Sequence, residues 1–178
     1  MSSPVTRREA GIAVVIREAQ PADAPAIREL HRQAFGGDQE GAIVDALRCN
    51  GGVQLSLVAT MEGNVLGHIV YSQVLLSGIT GAALGPMAVA PQLQRQGIGT
   101  RLVEAGNRGL AEQSCPFIVV VGHPEFYRRF GFTPASVRGV TCEWEVPDDV
   151  FMIHVLDETR MDHASGVAKY RPEFGSVA

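Results

Sequence analysis

Between residues 20 and 50 the apolar positions recur at helical spacing. Ile27, Leu30, His31 and Ala34 form one stripe while Arg28, Glu29 and Arg32 point elsewhere, which predicts an amphipathic helix. Pro21 suits its first position, where a missing amide hydrogen costs nothing. The segment Glu40 to Leu47 repeats the pattern with Ile43, Val44 and Leu47, and Asn50-Gly51-Gly52 stops it. A short apolar run ahead of both, Ile12 to Ile16, reads as a first strand. The period then changes. Val53, Leu55, Leu57 and Ala59 alternate with Gln54, Ser56 and Thr60, Glu62-Gly63-Asn64 interrupts, and Val65 to Leu76 resumes, predicting a β-hairpin. A further strand covers roughly Ala82 to Ala90, and Pro91 removes a backbone donor where the chain leaves it.

From Thr100 the helical spacing returns. Leu102, Ala105, Gly106, Gly109 and Leu110 gather on one side, and Arg101, Glu104, Arg108 and Glu112 on another. Phe117 to Val121 is continuously apolar, as in a strand buried on both faces. Gly122-His123-Pro124 turns the chain into a short helix over Glu125 to Phe130, Gly131 ends it, and Phe132 resumes an extended course. Residues 137–178 are less regular, with Phe151 to Val155 as a late strand and Trp144 and Tyr170 as core or rim aromatics. The mixture points to an α/β fold with helices packed on a sheet.

Composition narrows the class. The chain has 178 residues, 46% of them hydrophobic, enough for one buried core; we expect a single domain over residues 11–178 behind a flexible N-terminus at 1–10. A formal charge of −4 with no block of like charge argues against a general nucleic-acid binder, because neutralising phosphates takes a concentrated basic surface. No stretch has the length of a membrane span or the apolar centre of a signal peptide, so a cytoplasmic protein is expected. Cys49, Cys115 and Cys142 are far apart and lack CxxC spacing, consistent with free thiols. His154 and His163 lack an HxxxH partner, so no metal site is expected. His31, on an apolar helical face, and His68, inside a strand, read as core or boundary residues.

The most telling stretch is Gln94-Arg95-Gln96-Gly97-Ile98-Gly99, lying between a predicted strand and a predicted helix. Two glycines one residue apart let backbone amides converge on an anion, and a helix start adds unsatisfied donors and the positive end of its dipole. A tight structural connection explains the same pair equally well. A dinucleotide loop would want a third glycine at position 102, where Leu102 stands, and no Gly-Lys-Ser or Gly-Lys-Thr of a P-loop occurs.

Gln94, Gly97 and Gly99 fit the pattern Arg or Gln, two residues, Gly, any residue, Gly or Ala. With the upstream strand Leu84 to Ala90 and the downstream Tyr127-Arg128-Arg129-Phe130-Gly131-Phe132, the chain resembles the Gcn5-related N-acetyltransferase (GNAT) superfamily over nearly its whole length. Residues Phe151 to Phe174 look like the C-terminal extension of a subgroup of mostly uncharacterised bacterial members.

The resemblance implies a mixed, mostly antiparallel sheet of six or seven strands with helices on both faces, split by a V-shaped opening. It implies acetyl-coenzyme A as co-substrate, the pantetheine arm lying along Met87, Ala88 and Val89. The phosphates would meet Gln94, Arg95, Gln96, Gly97, Ile98, Gly99 and Thr100, where a helix dipole contributes about 0.3 to 1 kcal/mol. A primary amine would attack the thioester directly, a backbone amide of Met87 or Val89 would polarise its carbonyl, and Tyr127 would protonate the departing sulfur as general acid. Candidates for a general base are His123, which could instead orient the short helix, and Glu40, which also suits a helix N-terminus. Dimers are common in the family. A reading from another class, a non-catalytic acyl-coenzyme A sensor presenting a surface to a protein partner, would not need Tyr127. Small amines, peptide N-termini and lysines all stay open as acceptors.

Overall fold

The computed structural model describes residues 13–176, so the expectation for residues 1–10 lies outside the described residues. The strand expected over Ile12 to Ile16 is β1, Val15–Glu18, with residue 12 outside the described range. Its start is fixed by its partner: pairing begins at Val15↔Thr60, one residue from the end of β2, Val53–Met61. Pro21 opens a 3₁₀ turn, Pro21–Asp23, and α1 follows at Ala24–Phe35. The Asp23 carboxylate explains the turn, because it accepts from the Gln20 amide at 2.7 Å and from both terminal nitrogens of Arg17 at 2.7 and 2.9 Å. The second helix, α2, runs Gln39–Cys49.

Two tight hairpins carry the chain through β2, β3 (Asn64–Leu76) and β4 (Ile79–Val89). Positive φ at Glu62 and Gly63, and again at Ser77 and Gly78, is the geometry of a two-residue turn whose twist matches the strands. The second turn brings the start of β4 back to Ile79, three residues ahead of the expected Ala82. Next come α3 (Ile98–Glu112), β5 (Phe117–Val121), α4 (Pro124–Tyr127) with a 3₁₀ turn at Arg128–Phe130, and β6 (Thr133–Pro134). The C-terminal part adds β7 (Val140–Cys142), β8 (Phe151–Val155) and β9 (Gly166–Ala168).

The main sheet has seven strands in the order β1-β2-β3-β4-β5-β8-β6, antiparallel except for the β4–β5 pair. A separate two-stranded parallel sheet joins β7 to β9, neither of which shows a periodic sign in the sequence. Helices cover both faces. On one, α3 buries Ile98, Leu102, Val103 and Leu110 against Leu57, Ile69 and Ile118; on the other, α1 and α2 bury Ile27, Val44 and Leu47 against Val58 and Val70. Strand β5 is buried on both faces as its unbroken apolar run requires, with Ile118 and Val120 toward α3 and Phe117 and Val119 in a second cluster with Phe151, Ile153 and Ala168.

The sheet opens in its middle. Strands β4 and β5 pair only at Ala82↔Ile118, Ala83↔Val119 and Leu84↔Val120, while β4 continues along β3 to Val89. A bulge lies just past the last pair: Ile69 faces Met87 and Tyr71 faces Leu84, so Gly85 and Pro86 together oppose Val70. A proline donates no amide hydrogen, so the ladder is interrupted where the strands diverge. This is the V-shaped opening the resemblance implied.

Candidate active site

A cleft of about 910 Å³ occupies the opening between β4 and β5. Along β4, Met87 and Val89 line it while the Ala88 side chain packs to the opposite face with Leu30 and Ala90, as strand alternation dictates. Ala88 borders the cleft all the same.

At one end lies the glycine loop. Gln94 turns its side-chain amide back to donate to the Val89 carbonyl at 3.1 Å, tying loop to strand. Gln96 likewise donates to the Gln92 carbonyl at 3.2 Å. Arg95 has φ of 62° and Gly97 has φ of 87°; at the second position an L side chain would be strained, which is the backbone reason for glycine. Gly97 caps α3, its carbonyl accepting the first helical bond from the Arg101 amide at 3.1 Å. The amides of Ile98, Gly99 and Thr100 therefore belong to the first turn, which has no helical acceptors.

Of the predicted coenzyme contacts, Met87, Ala88, Val89, Gln94, Arg95, Gly97, Gly99 and Thr100 line the cleft. Gln96, exposed with its side-chain amide on the Gln92 carbonyl, and Ile98, whose side chain is buried in the core facing Gly67, do not line it. Sequence reasoning missed Arg129. Its guanidinium lies 5.6 and 5.4 Å from the Phe126 and Phe130 ring centres, donates to the Thr100 hydroxyl at 3.2 Å and lines the cleft beside Arg95. A basic residue at the centre of the Tyr-xxx-Gly-Phe motif, two positions from Tyr127, was the available signal.

Tyr127 forms part of the cleft wall and is only 7% exposed. Its ring packs edge-on against Phe126 at 5.0 Å and Phe132 at 5.6 Å, contacts worth about 0.5 to 1.5 kcal/mol each. Gly122 leaves room for it: a Cβ there would come within 2.4 Å of the tyrosine ring. Burial pushes the Tyr127 phenol up to about 12, so it holds its proton at neutral pH and can give it to a developing anion.

Both base candidates border the cleft, at different places. His123 is exposed; its carbonyl accepts from the amides of Phe126 and Tyr127 at 3.1 and 3.2 Å, whereas its ring makes no capping bond. Glu40 projects from the first turn of α2 and lines both the cleft and a smaller adjoining cavity. Cys115 is 4% exposed, donates its thiol to the Phe117 carbonyl at 3.3 Å, and does not line the cleft.

Beneath β4 lie the two histidines read as core residues. His31 and His68 are fully buried and share a hydrogen bond of 2.8 Å between Nε2 and Nδ1, and the Ser56 hydroxyl lies 2.9 Å from His68 Nε2. Burial holds both below the ordinary histidine range, His31 at about 4. His68 pairs with Ala88 across the β3–β4 ladder, so this neutral pair supports the strand that lines the cleft. Among the described residues, no cluster of three or more His, Cys, Asp or Glu could hold a metal ion, and no helix is long and apolar enough to cross a membrane.

Comparison with known proteins matches this geometry. The model of the acetyltransferase (GNAT) domain matches residues 53–134. The uncharacterised N-acetyltransferase YhbS of Escherichia coli K12 is 34% identical over 164 residues, covering 90% of this chain and 98% of that protein. The chain belongs to the GNAT family of N-acetyltransferases. Two solved GNAT structures extend the likeness. The crystal structure of Escherichia coli YhbS in complex with CoA is 31% identical, with a TM-score of 0.89, and the match covers 98% of this chain and 96% of that one. A GNAT acetyltransferase from Brucella melitensis in complex with acetyl-CoA is 34% identical, with a TM-score of 0.77 and coverage of 92% and 99%. The seven-stranded sheet with its opening between β4 and β5 is thus the GNAT fold, and residues 135–176 lie beyond the part that the domain model matches.

Proposed function

We propose that this GNAT enzyme binds acetyl-CoA in the β4–β5 cleft and transfers the acetyl group to a primary amine by direct attack. The carrying observation is that the pairing of β4 and β5 ends at Leu84↔Val120, so the edge of Met87 to Val89 that faces away from β3 borders a cleft that runs to the α3 N-terminus. An extended pantetheine arm would add to that strand edge as another strand does. Pyrophosphate would take the amides of the first turn of α3, flanked by the cations of Arg95 and Arg129. The CoA and acetyl-CoA complexes of the two solved relatives support this choice of donor.

In the transfer a C–N bond forms and the C–S bond breaks. Glu40 takes the proton the amine loses, because it borders both the cleft and the adjoining cavity from which an amine would approach. His123 borders the cleft alone. The Met87 or Val89 amide polarises the carbonyl, and Tyr127 protonates the sulfur as it leaves.

Calorimetry with acetyl-CoA followed by thiol release across an amine panel tests the reading; binding without turnover on any amine would instead favour a sensor. Glu40→Gln should lower kcat/KM about 10²-fold, within the usual range for a lost acid or base, while His123→Gln changes it little. The opposite outcome would hand the base role to His123.

A further inference from the structure

A second cavity, of about 420 Å³, opens off the cleft and shares with it Glu40, Leu84, Gly85, Pro86 and Val121. Its far wall is made by the C-terminal segment. Trp144 and Tyr170 lie 4.7 Å apart between ring centres, Tyr170 and Phe174 5.5 Å, and Trp144 and Phe174 6.5 Å, so three aromatic rings form one continuous surface. The wall is pinned to α2. Arg171 pairs with Glu173 at 2.8 Å, Asn50 donates to Glu173 at 3.1 Å, and a Cβ at Gly52 would come within 2.3 Å of the Arg171 side chain. A hydrogen bond from the Tyr170 amide to the Glu143 carboxylate fixes the other end of the wall.

The charge of this recess has one sign. Glu40 and Glu145 are the only charged residues that line it, and neither is in an ion pair among the described residues. Arg171, next in sequence to Tyr170, is neutralised by Glu173. Aromatic faces and carboxylates both attract a cation, and the rest of the lining offers apolar surface. An α-amino acid would bring its own carboxylate against Glu40 with no cation to receive it. A lysine stem of four methylenes would leave most of the recess unfilled, forfeiting the contacts that bind.

We propose that this recess is the acceptor site, and that its substrate is a small primary amine with an aromatic or bulky apolar body and no carboxylate. The inference rests on the acetyl-transfer reading. The ammonium sits at Glu40, where the recess meets the cleft, and the body lies against Trp144, Tyr170 and Phe174. Glu145 adds attraction at the rim. The ammonium first gives one proton to Glu40, which passes it to solvent; the free amine then bonds to the acetyl carbon as the C–S bond breaks, its second proton goes to Glu40, and the leaving sulfur takes the Tyr127 proton, which solvent restores.

Trp144 is the only tryptophan in the chain, so its fluorescence reports directly on this recess. The CoA-loaded protein should be titrated with 2-phenylethylamine, phenylalanine, 3-phenylpropionate and a lysine-containing peptide, and thiol release from acetyl-CoA measured with the same amines. A saturable change is expected with 2-phenylethylamine, binding at least tenfold weaker with phenylalanine and 3-phenylpropionate, and a three- to tenfold loss of 2-phenylethylamine affinity in Glu145→Gln. Equal binding of phenylalanine or 3-phenylpropionate, or no saturable change with any compound, overturns the inference. Thiol release with the peptide and not with 2-phenylethylamine overturns it too, while acetyl transfer stands. Selective binding of 2-phenylethylamine with no thiol release from any amine does the reverse, supporting the recess and removing the transferase reading.

Discussion

The cleft and the recess meet at Leu84, Gly85, Pro86, Val121 and Glu40, yet they are built in opposite ways. Most of the cleft comes from one stretch, residues 84–129, and much of what it offers a ligand is backbone: a strand edge and a helix start. The recess is gathered from distant parts of the chain, with α2, the β4 bulge, Trp144 to Val146 and the Tyr170 to Phe174 segment each supplying a wall of side chains. The family model ends at residue 134, before Trp144, Glu145, Tyr170 and Phe174. The half that would handle a common donor is thus encoded locally, and the half that would choose an acceptor depends on long-range packing.

The largest expected effect tests whether the donor half carries the chemistry. Tyr127→Phe keeps the ring against Phe126 and Phe132 and removes only the hydroxyl, so folding and acetyl-CoA affinity should be unchanged. Loss of a general acid should cost about 10²- to 10⁴-fold in kcat. Steady-state kinetics with a turned-over amine decides it. A kcat within a fewfold of the parent would move the proton donor elsewhere and leave Tyr127 a packing residue.

Next in size is the support beneath the strand that lines the cleft. His31 and His68 titrate below their ordinary value when folded, so the unfolded chain binds more protons than the folded one as pH falls below about 6.5. The stability they allow is present in full above about 6.5 and is lost progressively toward the His31 value of about 4. For His31 alone the loss amounts to about 3 kcal/mol. Asp45 opposes the shift at His31, whereas Arg48 adds to it at His68 and Asp23 opposes it there. Urea unfolding at a series of pH values should show this slope in the parent and a flatter one in His31→Gln. An equal slope in both would mean that the acid loss arises at other groups.

Gly97→Ala separates the two halves more finely. At φ of 87° an L residue costs about 1 to 2 kcal/mol, and relieving the strain would turn the first amides of α3 away from the cleft. Acetyl-CoA affinity should drop about tenfold, the equivalent of 1.4 kcal/mol, with the amine KM unchanged. A change confined to the amine would show that the loop serves the acceptor and would erase the division between cleft and recess.

What could be read from the sequence follows the same division. The glycine loop, the strand before it and the Tyr127 motif after it lie close together in the chain, so together they carried the resemblance to the GNAT family, where the glycine pair alone fitted a structural turn equally well. The helical stripes of α1 and α3 and the unbroken apolar run of β5 were legible from periodicity. The start of β4 was missed although Ser77-Gly78 is a turn dipeptide, and the bulge was missed although Gly85-Pro86 inside a strand run is its signature. Strands β7 and β9 are three residues each, too short for any periodicity to register. Trp144 and Tyr170 were legible as aromatics; their meeting with each other and with Glu40 was not, because Trp144 lies 26 positions from Tyr170 and Glu40 lies 104 and 130 positions from the two, and no local pattern encodes those contacts.

The smallest expected effect concerns a buried thiol. Cys115 precedes β5, and an acyl-enzyme route would need it as a thiolate facing the cleft. Burial raises its pKa, its thiol hydrogen is directed to the Phe117 carbonyl, and it packs in the core behind the sheet with Ile118 and Leu110. A buried protonated thiol is a poor nucleophile. Cys115→Ala should therefore keep kcat within about twofold while lowering stability by about 1 kcal/mol, the typical size of a small core truncation. Abolished turnover in a folded Cys115→Ala protein would mean that the acetyl group passes through the core side of β5. The donor half would then no longer be the backbone-lined cleft alone, and direct attack by the amine would fail with it.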